Sequence, residues 1–192
     1  MPDHRKDPRT WVEHAWHGCS EQDVMTGGLV NPAHHGPYML SVGDVAPDFQ
    51  LTAQDKSIFD SRDHLDSRLL VAFYPAAFTG VCTEEMCTLT DMMSDLENTG
   101  CSVVGISVDA PFSNAAFAQQ SGIAFPLLSD VHRSVIDSFG VTYHDFVIPG
   151  YTVATRSIFV IEPDGRVSYA WAAENPGVQP DYESVISHCL SA

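Results

Sequence analysis

One stretch constrains this chain more than any other. The run Leu69-Leu70-Val71-Ala72-Phe73-Tyr74 is apolar and rich in strand formers, and it ends abruptly at Pro75. Such a run reads as a strand buried on both faces, the kind found in the middle of a sheet covered by helices. After Ala76-Ala77-Phe78-Thr79-Gly80 a helical pattern begins, with Cys82 in its first turn. A helix start offers unpaired backbone N–H groups and the positive end of the helix dipole. Both favour thiolate over thiol, and the thiolate is the nucleophile. Thr79, three residues earlier, adds a hydroxyl within reach of the sulfur or of an oxygen beside it. A small core residue is the ordinary role of an unpaired cysteine; the Pro, the Thr and the helix start argue instead for chemistry.

The remainder alternates strands and helices. Residues 49–52 and 56–59 suit a small hairpin, 68–74 and 101–108 buried strands, and 125–128 a short strand. Helical patterns cover 82–97, 111–120, 131–139 and 180–190, with Gly100 and Gly140 as stops and Pro111 as an opener. Arg156 to Glu162 and Arg166 to Trp171 flank Pro163-Asp164-Gly165, a hairpin signal. This order predicts an α/β domain with a partly parallel, mixed central sheet and helices on both faces, closed by antiparallel strands. The domain is expected to span residues 39–192. Residues 1–38 hold five of the nine histidines, several Pro and Gly and little periodicity, and read as a poorly ordered extension. His14, His17 and Cys19 lie there; without a second cysteine pair they read as part of a solvated arm rather than as a zinc site.

Charge narrows the function. The chain carries 25 acidic residues against 9 Lys plus Arg, a net charge of −16. Its only lysines are Lys6 and Lys56. Nucleic-acid and anionic-membrane partners, which need basic patches, are therefore not expected. The acidity is spread through the domain, as in proteins adapted to concentrated salt, which screens self-repulsion. The charged N-terminus lacks an apolar segment of the secretory type, no run approaches a membrane span, and the five cysteines are odd in number. These features predict a cytoplasmic protein with reduced thiols.

Pro75, Thr79 and Cys82 form the pattern P-x-x-x-T-x-x-C, which resembles the active-site signature of the peroxiredoxins. Matching pieces follow in the same order: Gly43-Asp44-Val45-Ala46-Pro47-Asp48-Phe49, Phe125-Pro126-Leu127-Leu128-Ser129-Asp130, and Arg156 to Gly165. The resemblance runs from about Met39 onward and implies a thioredoxin-like fold. It also implies a thiol peroxidase acting on hydrogen peroxide and small organic hydroperoxides, with no cofactor and a thioredoxin or similar dithiol as reductant, as monomer or homodimer. Carried over residue by residue, it assigns Cys82 as nucleophile, Thr79 and Arg156 as donors along the O–O axis, and Pro75 as the shaper of the turn. Arg156 brings a permanent charge that favours the thiolate and the transition state. Glu85 sits where relatives often orient that arginine; support of the helix dipole explains it equally well.

The Cys82 to Cys87 spacing resembles the bacterioferritin-comigratory, or Q-type, subgroup, in which Cys87 would capture the sulfenic acid on Cys82 as a disulfide. In an intact helix these Cα atoms would stand about 8.5–9 Å apart, beyond the range of about 4.4–6.8 Å that a disulfide tolerates. Resolution by Cys87 therefore requires unwinding of the first helical turns. A single-cysteine peroxidase recycled by an external thiol is the alternative. Cys101 is expected in the core. Cys189 lacks the sequence context of a C-terminal resolving residue. Two readings outside the family remain. A dithiol oxidoreductase would normally use C-x-x-C, which the chain lacks. A copper-binding module could use Cys82, Cys87 and His144. Otherwise His132 and His144 read as surface residues.

Overall fold

The computed structural model describes residues 38–64 and 66–191. Residues 1–37 of the expected extension, including His14, His17 and Cys19, lie outside them. The chain runs β1 (Gln50–Ala53), β2 (Ile58–Asp60), a 3-10 turn (Ser61–His64), β3 (Arg68–Phe73), α1 (Gly80–Asp91), α2 (Met93–Asn98), β4 (Cys101–Ser107), α3 (Pro111–Ser121) and β5 (Leu127–Ser129). It continues with α4 (Ser134–Ser138), β6 (Thr142–Tyr143), β7 (Val153–Ala154), β8 (Ser157–Ile161), β9 (Val167–Ala172) and α5 (Tyr182–Leu190).

Seven strands form one mixed sheet in the order β2-β1-β5-β4-β3-β8-β9, and β6 and β7 pair separately. At its centre β3 runs parallel to β4, with Phe73 beside Ile106, and antiparallel to β8, with Phe73 beside Ser157. The two crossovers, β3 to β4 and β4 to β5, carry the helices α1, α2 and α3. Alternation along β3 divides the core. Leu69, Val71 and Phe73 face a cluster with Val135, Ile136 and Phe139 around α4. Leu70, Ala72 and Tyr74 face the cluster formed by Cys82, Met86 and Leu89 of α1, Leu96 of α2, Phe117 of α3 and Val185 of α5. Helices thus cover both faces, and the apolar run 69–74 is central because both its faces are buried.

Two glycines are required by close approach. A Cβ on Gly105, in mid-β4, would stand 2.7 Å from Leu127 Cδ2, 3.3 Å from the Tyr74 ring and 3.4 Å from Met86 Sδ. The bare backbone there lets α1 lie close to the sheet. Gly140 has φ +68°, and a Cβ would meet the Tyr38 carbonyl oxygen at 2.0 Å. Leu40 N–H donates to the Phe139 carbonyl beside it, so the start of the described chain is strapped over this turn.

The long helical pattern at 82–97 is two helices, α1 and α2, broken at Met92. Threonine chemistry accounts for a weak second half. Thr83, Thr88 and Thr90 hydroxyls donate back to the carbonyls of Thr79, Glu84 and Met86 at 2.9, 2.8 and 2.8 Å. Such bonds to residue i−4 compete with the helix ladder and bend it.

Candidate active site

Cys82 is the third residue of α1, and Thr79 is the residue before the helix. The loop joining β3 to α1 is held from the neighbouring strand end. Asp109 accepts from Ala77 N–H at 2.8 Å and from the Ser107 hydroxyl at 2.9 Å. Phe78 adopts φ +64°, a left-handed conformation unusual for a bulky side chain, and its ring packs edge-on against Phe117. The turn is thereby fixed by partners on β4 and α3 before the helix begins.

The Cys82 sulfur is buried, yet it borders a recess of about 230 Å³ lined by Pro75, Thr79, Val81, Phe146, Arg156 and Pro176. Arg156, the residue preceding β8, donates from Nη2 to Cys82 Sγ at 3.4 Å and to the Pro176 carbonyl at 2.9 Å. Its Nη1 pairs with Glu85 Oε2. A guanidinium suits this task because its fixed fork can hold a sulfur, a carboxylate and a carbonyl at once. Thr79 Oγ1 donates to the Ala76 carbonyl at 3.1 Å and so keeps lone pairs free on the side of the recess.

Glu85 is fully buried, and burial pushes its carboxyl up to about 7 against the pull of the adjoining Arg156. Glu85 Oε1 and Arg156 Nε have no protein hydrogen-bond partner. The two readings of Glu85 are separated by this placement: it faces the arginine from inside the protein rather than standing in the solvated first turn.

Sequence reasoning named Pro75, Thr79, Cys82, Glu85 and Arg156, and the structure brings all five together. It missed Phe146, Pro176 and Gly177, which complete the wall. A usable signal existed: Phe146-Val147-Ile148-Pro149-Gly150 is an apolar run in a loop, and Val147 adopts φ +64° with its side chain exposed. Cys87 does not line the recess. It lies on the same unbroken helix as Cys82, half-buried, with its thiol 3.6 Å from the Ser121 carbonyl. Cys101 is buried as expected, and Cys189 is buried against it rather than near Cys82. His132 and His144 are on the surface. Among the described residues no group of three or more His, Cys, Asp or Glu is placed to hold a metal, so Cys82, Cys87 and His144 do not converge as a copper site would require.

A cysteine buried at a helix start beside an ion-paired arginine, on a sheet of this order, belongs to the thioredoxin-like thiol peroxidases. The chain is a member of the AhpC/TSA family, whose model matches residues 42–170. It is 38% identical over 133 residues to peroxiredoxin Bcp of Escherichia coli (strain K12), covering 69% of this chain and 85% of that protein. The crystal structure of peroxidoxin BcpB from Mycobacterium tuberculosis superimposes with a TM-score of 0.71 at 29% identity, over 80% of this chain and 98% of that one. Peroxiredoxin Q of Xanthomonas campestris gives a TM-score of 0.67 at 25% identity, over 74% and 90% of the two chains. The protein is accordingly a peroxiredoxin of the bacterioferritin-comigratory, Q-type kind, and a peroxidase. No helix among the described residues is long and apolar enough to cross a membrane.

Proposed function

We propose that Cys82 is the peroxidatic residue and that the domain from residue 39 onward reduces hydrogen peroxide and small organic hydroperoxides. The observation that carries this reading is the 3.4 Å contact between the Arg156 guanidinium and Cys82 Sγ at the floor of the recess. The thiolate attacks one peroxide oxygen in line with the O–O bond. That bond breaks, and the other oxygen leaves with the electron pair as hydroxide or alkoxide. Arg156 and the Cys82 backbone N–H are donors for the charge that moves from sulfur to oxygen, and the Thr79 hydroxyl joins them by turning its proton from the Ala76 carbonyl to the peroxide oxygen. Pro75 walls the recess and excludes water. Glu85 acts through Arg156, as a positioning residue.

The sulfenic acid left on Cys82 is then captured by Cys87, forming a disulfide and releasing water. Both cysteines lie on α1, so this step follows unwinding of the helix start. A thioredoxin-like dithiol, acting by thiol–disulfide exchange, restores the two thiols. The four free cysteines among the described residues fit a reducing compartment, and we assign the protein to the cytoplasm.

Single replacements by Ser separate the roles. Cys82→Ser should abolish thioredoxin-driven peroxide turnover. Cys87→Ser should oxidise Cys82 once and then stop turning over when thioredoxin is the reductant. Full activity of Cys82→Ser would overturn the assignment. Undiminished thioredoxin-driven turnover by Cys87→Ser would leave Cys82 in place and make this a single-cysteine enzyme.

A further inference from the structure

Two buried cysteines take no part in the chemistry above. Cys101 opens β4, and Cys189 lies in the last turn of α5. They are 88 residues apart in sequence, both at most 2% exposed, and their sulfurs are 3.8 Å apart with the Cys101 thiol donating. Arg68, paired in register with Cys101 on β3, donates to the Cys189 carbonyl at 2.7 Å. Its guanidinium is fixed there by both oxygens of Glu162. The donor bond from Cys101 and the charge of Arg68 pull the Cys189 thiol down against its burial, while the Cys101 thiol is pushed up. Cys101 also borders a cavity of about 390 Å³ with Phe59, His64, Met93 and Phe125 in its walls. That space exceeds the share of one water molecule, about 30 Å³, by an order of magnitude, so a peroxide molecule fits on the Cys101 side of the pair.

We propose that Cys101 and Cys189 are a second redox site, a dithiol that hydrogen peroxide converts to an intramolecular disulfide tying α5 to β4. The Cys189 thiol gives up its proton and its sulfur attacks one oxygen of hydrogen peroxide; the O–O bond breaks, and the hydroxide that leaves takes up that proton as water. Cys189 is then a sulfenic acid. The Cys101 sulfur attacks it, the S–O bond breaks, and the departing hydroxide takes up the Cys101 proton as water. Two thiols are oxidised to one disulfide, and one peroxide is reduced to two waters. Bond formation needs the sulfurs to close from 3.8 Å to about 2.05 Å. The cross-link closes a long loop of the unfolded chain and so favours the folded state. It needs no oxidising equivalent from Cys82.

The test uses the full chain carrying Cys82→Ser and Cys87→Ser. Hydrogen peroxide is added in excess, remaining thiols are alkylated in denaturant, and the unreduced digest is analysed by mass spectrometry. The expected result is one linked peptide pair containing Cys101 and Cys189, an intact mass lower by two hydrogens, and reversal of both by dithiothreitol. The oxidised form should melt several degrees above the reduced form of the same chain. Adding Cys189→Ser or, separately, Cys101→Ala should remove the cross-link and the gain. The proposal is overturned if Cys101 and Cys189 are both alkylated after exposures that fully oxidise Cys82 in the wild-type chain, or if either links to Cys19 instead. Sustained thioredoxin-driven turnover, compared between the wild-type chain and Cys82→Ser, reports on Cys82, and the cross-link in the doubly substituted chain reports on the second pair, so the two readings fail in different samples.

Discussion

The buried Arg156–Glu85 pair sets how the sulfur feels its surroundings. Arg156 is 1% exposed and holds Cys82, Pro176 and Glu85 together. Replacing it by Met leaves Glu85 buried without a counter-charge and removes the donor to sulfur; peroxide reactivity should drop by about 10²–10³, read as the second-order rate of Cys82 oxidation. Glu85 adds a pH dependence. Its folded-state value of about 7 lies above the ordinary 4.5, so between those limits the folded chain keeps a proton that the unfolded chain has released. The contribution to stability is complete below pH 4.5 and is lost as pH rises through 7. Glu85→Gln should flatten stability over that window in denaturant titrations, and it should remove an inflection near pH 7 from the rate of peroxide reaction. A pH profile unchanged in both measurements would contradict this. The role of Glu85 was half legible in the sequence. Cys82, Glu85, Met86 and Leu89 follow helical spacing, so a carboxylate stands in an otherwise apolar stripe. A charge so placed needs a buried partner, but only the fold reveals that the partner comes from residue 156.

At the scale of the element, α1 must be both a precise mount and a part that gives way. Four of its twelve residues, Val81, Thr83, Thr88 and Thr90, are β-branched, and its threonines bond back into the ladder. Forming the Cys82–Cys87 bond should melt its first two turns, with faster amide exchange at residues 82–88 in the oxidised protein and unchanged exchange in β3 and β4. Oxidised protein that retains full protection there would refute the coupling. Its close seat on the sheet depends on Gly105. Overpacking by Gly105→Val should cost about 1–3 kcal/mol, measured by denaturant unfolding. Strands were the most legible elements, because β3, β4 and β8 are apolar on both faces and bounded by clear stops. The break at Met92 was not, because the apolar spacing carries on across it from α1 into α2. The Cys101–Cys189 contact was also invisible, since neither local sequence speaks of the other. Which apolar loop roofs the recess is equally a matter of tertiary packing.

The whole molecule is defined by its acidity. With a net charge of −16 and almost no lysine, self-repulsion opposes the compact state at low ionic strength. The screening length shrinks from about 30 Å at 0.01 M to about 3 Å at 1 M salt. The melting temperature should therefore climb as KCl is raised across that range; a flat or falling curve would count against salt adaptation. The recess above Cys82 bears on a different property. Its volume of about 230 Å³ accepts the peroxy head of any hydroperoxide but has little room for a long tail. A tail must lie outside, along Phe146 and its neighbours Val147 and Ile148, whose side chains are 85% and 60% exposed. Discrimination between oxidants is then exercised at the doorstep while the bond-breaking centre stays indifferent. Lengthening the alkyl group should move the Michaelis constant and spare the maximal rate.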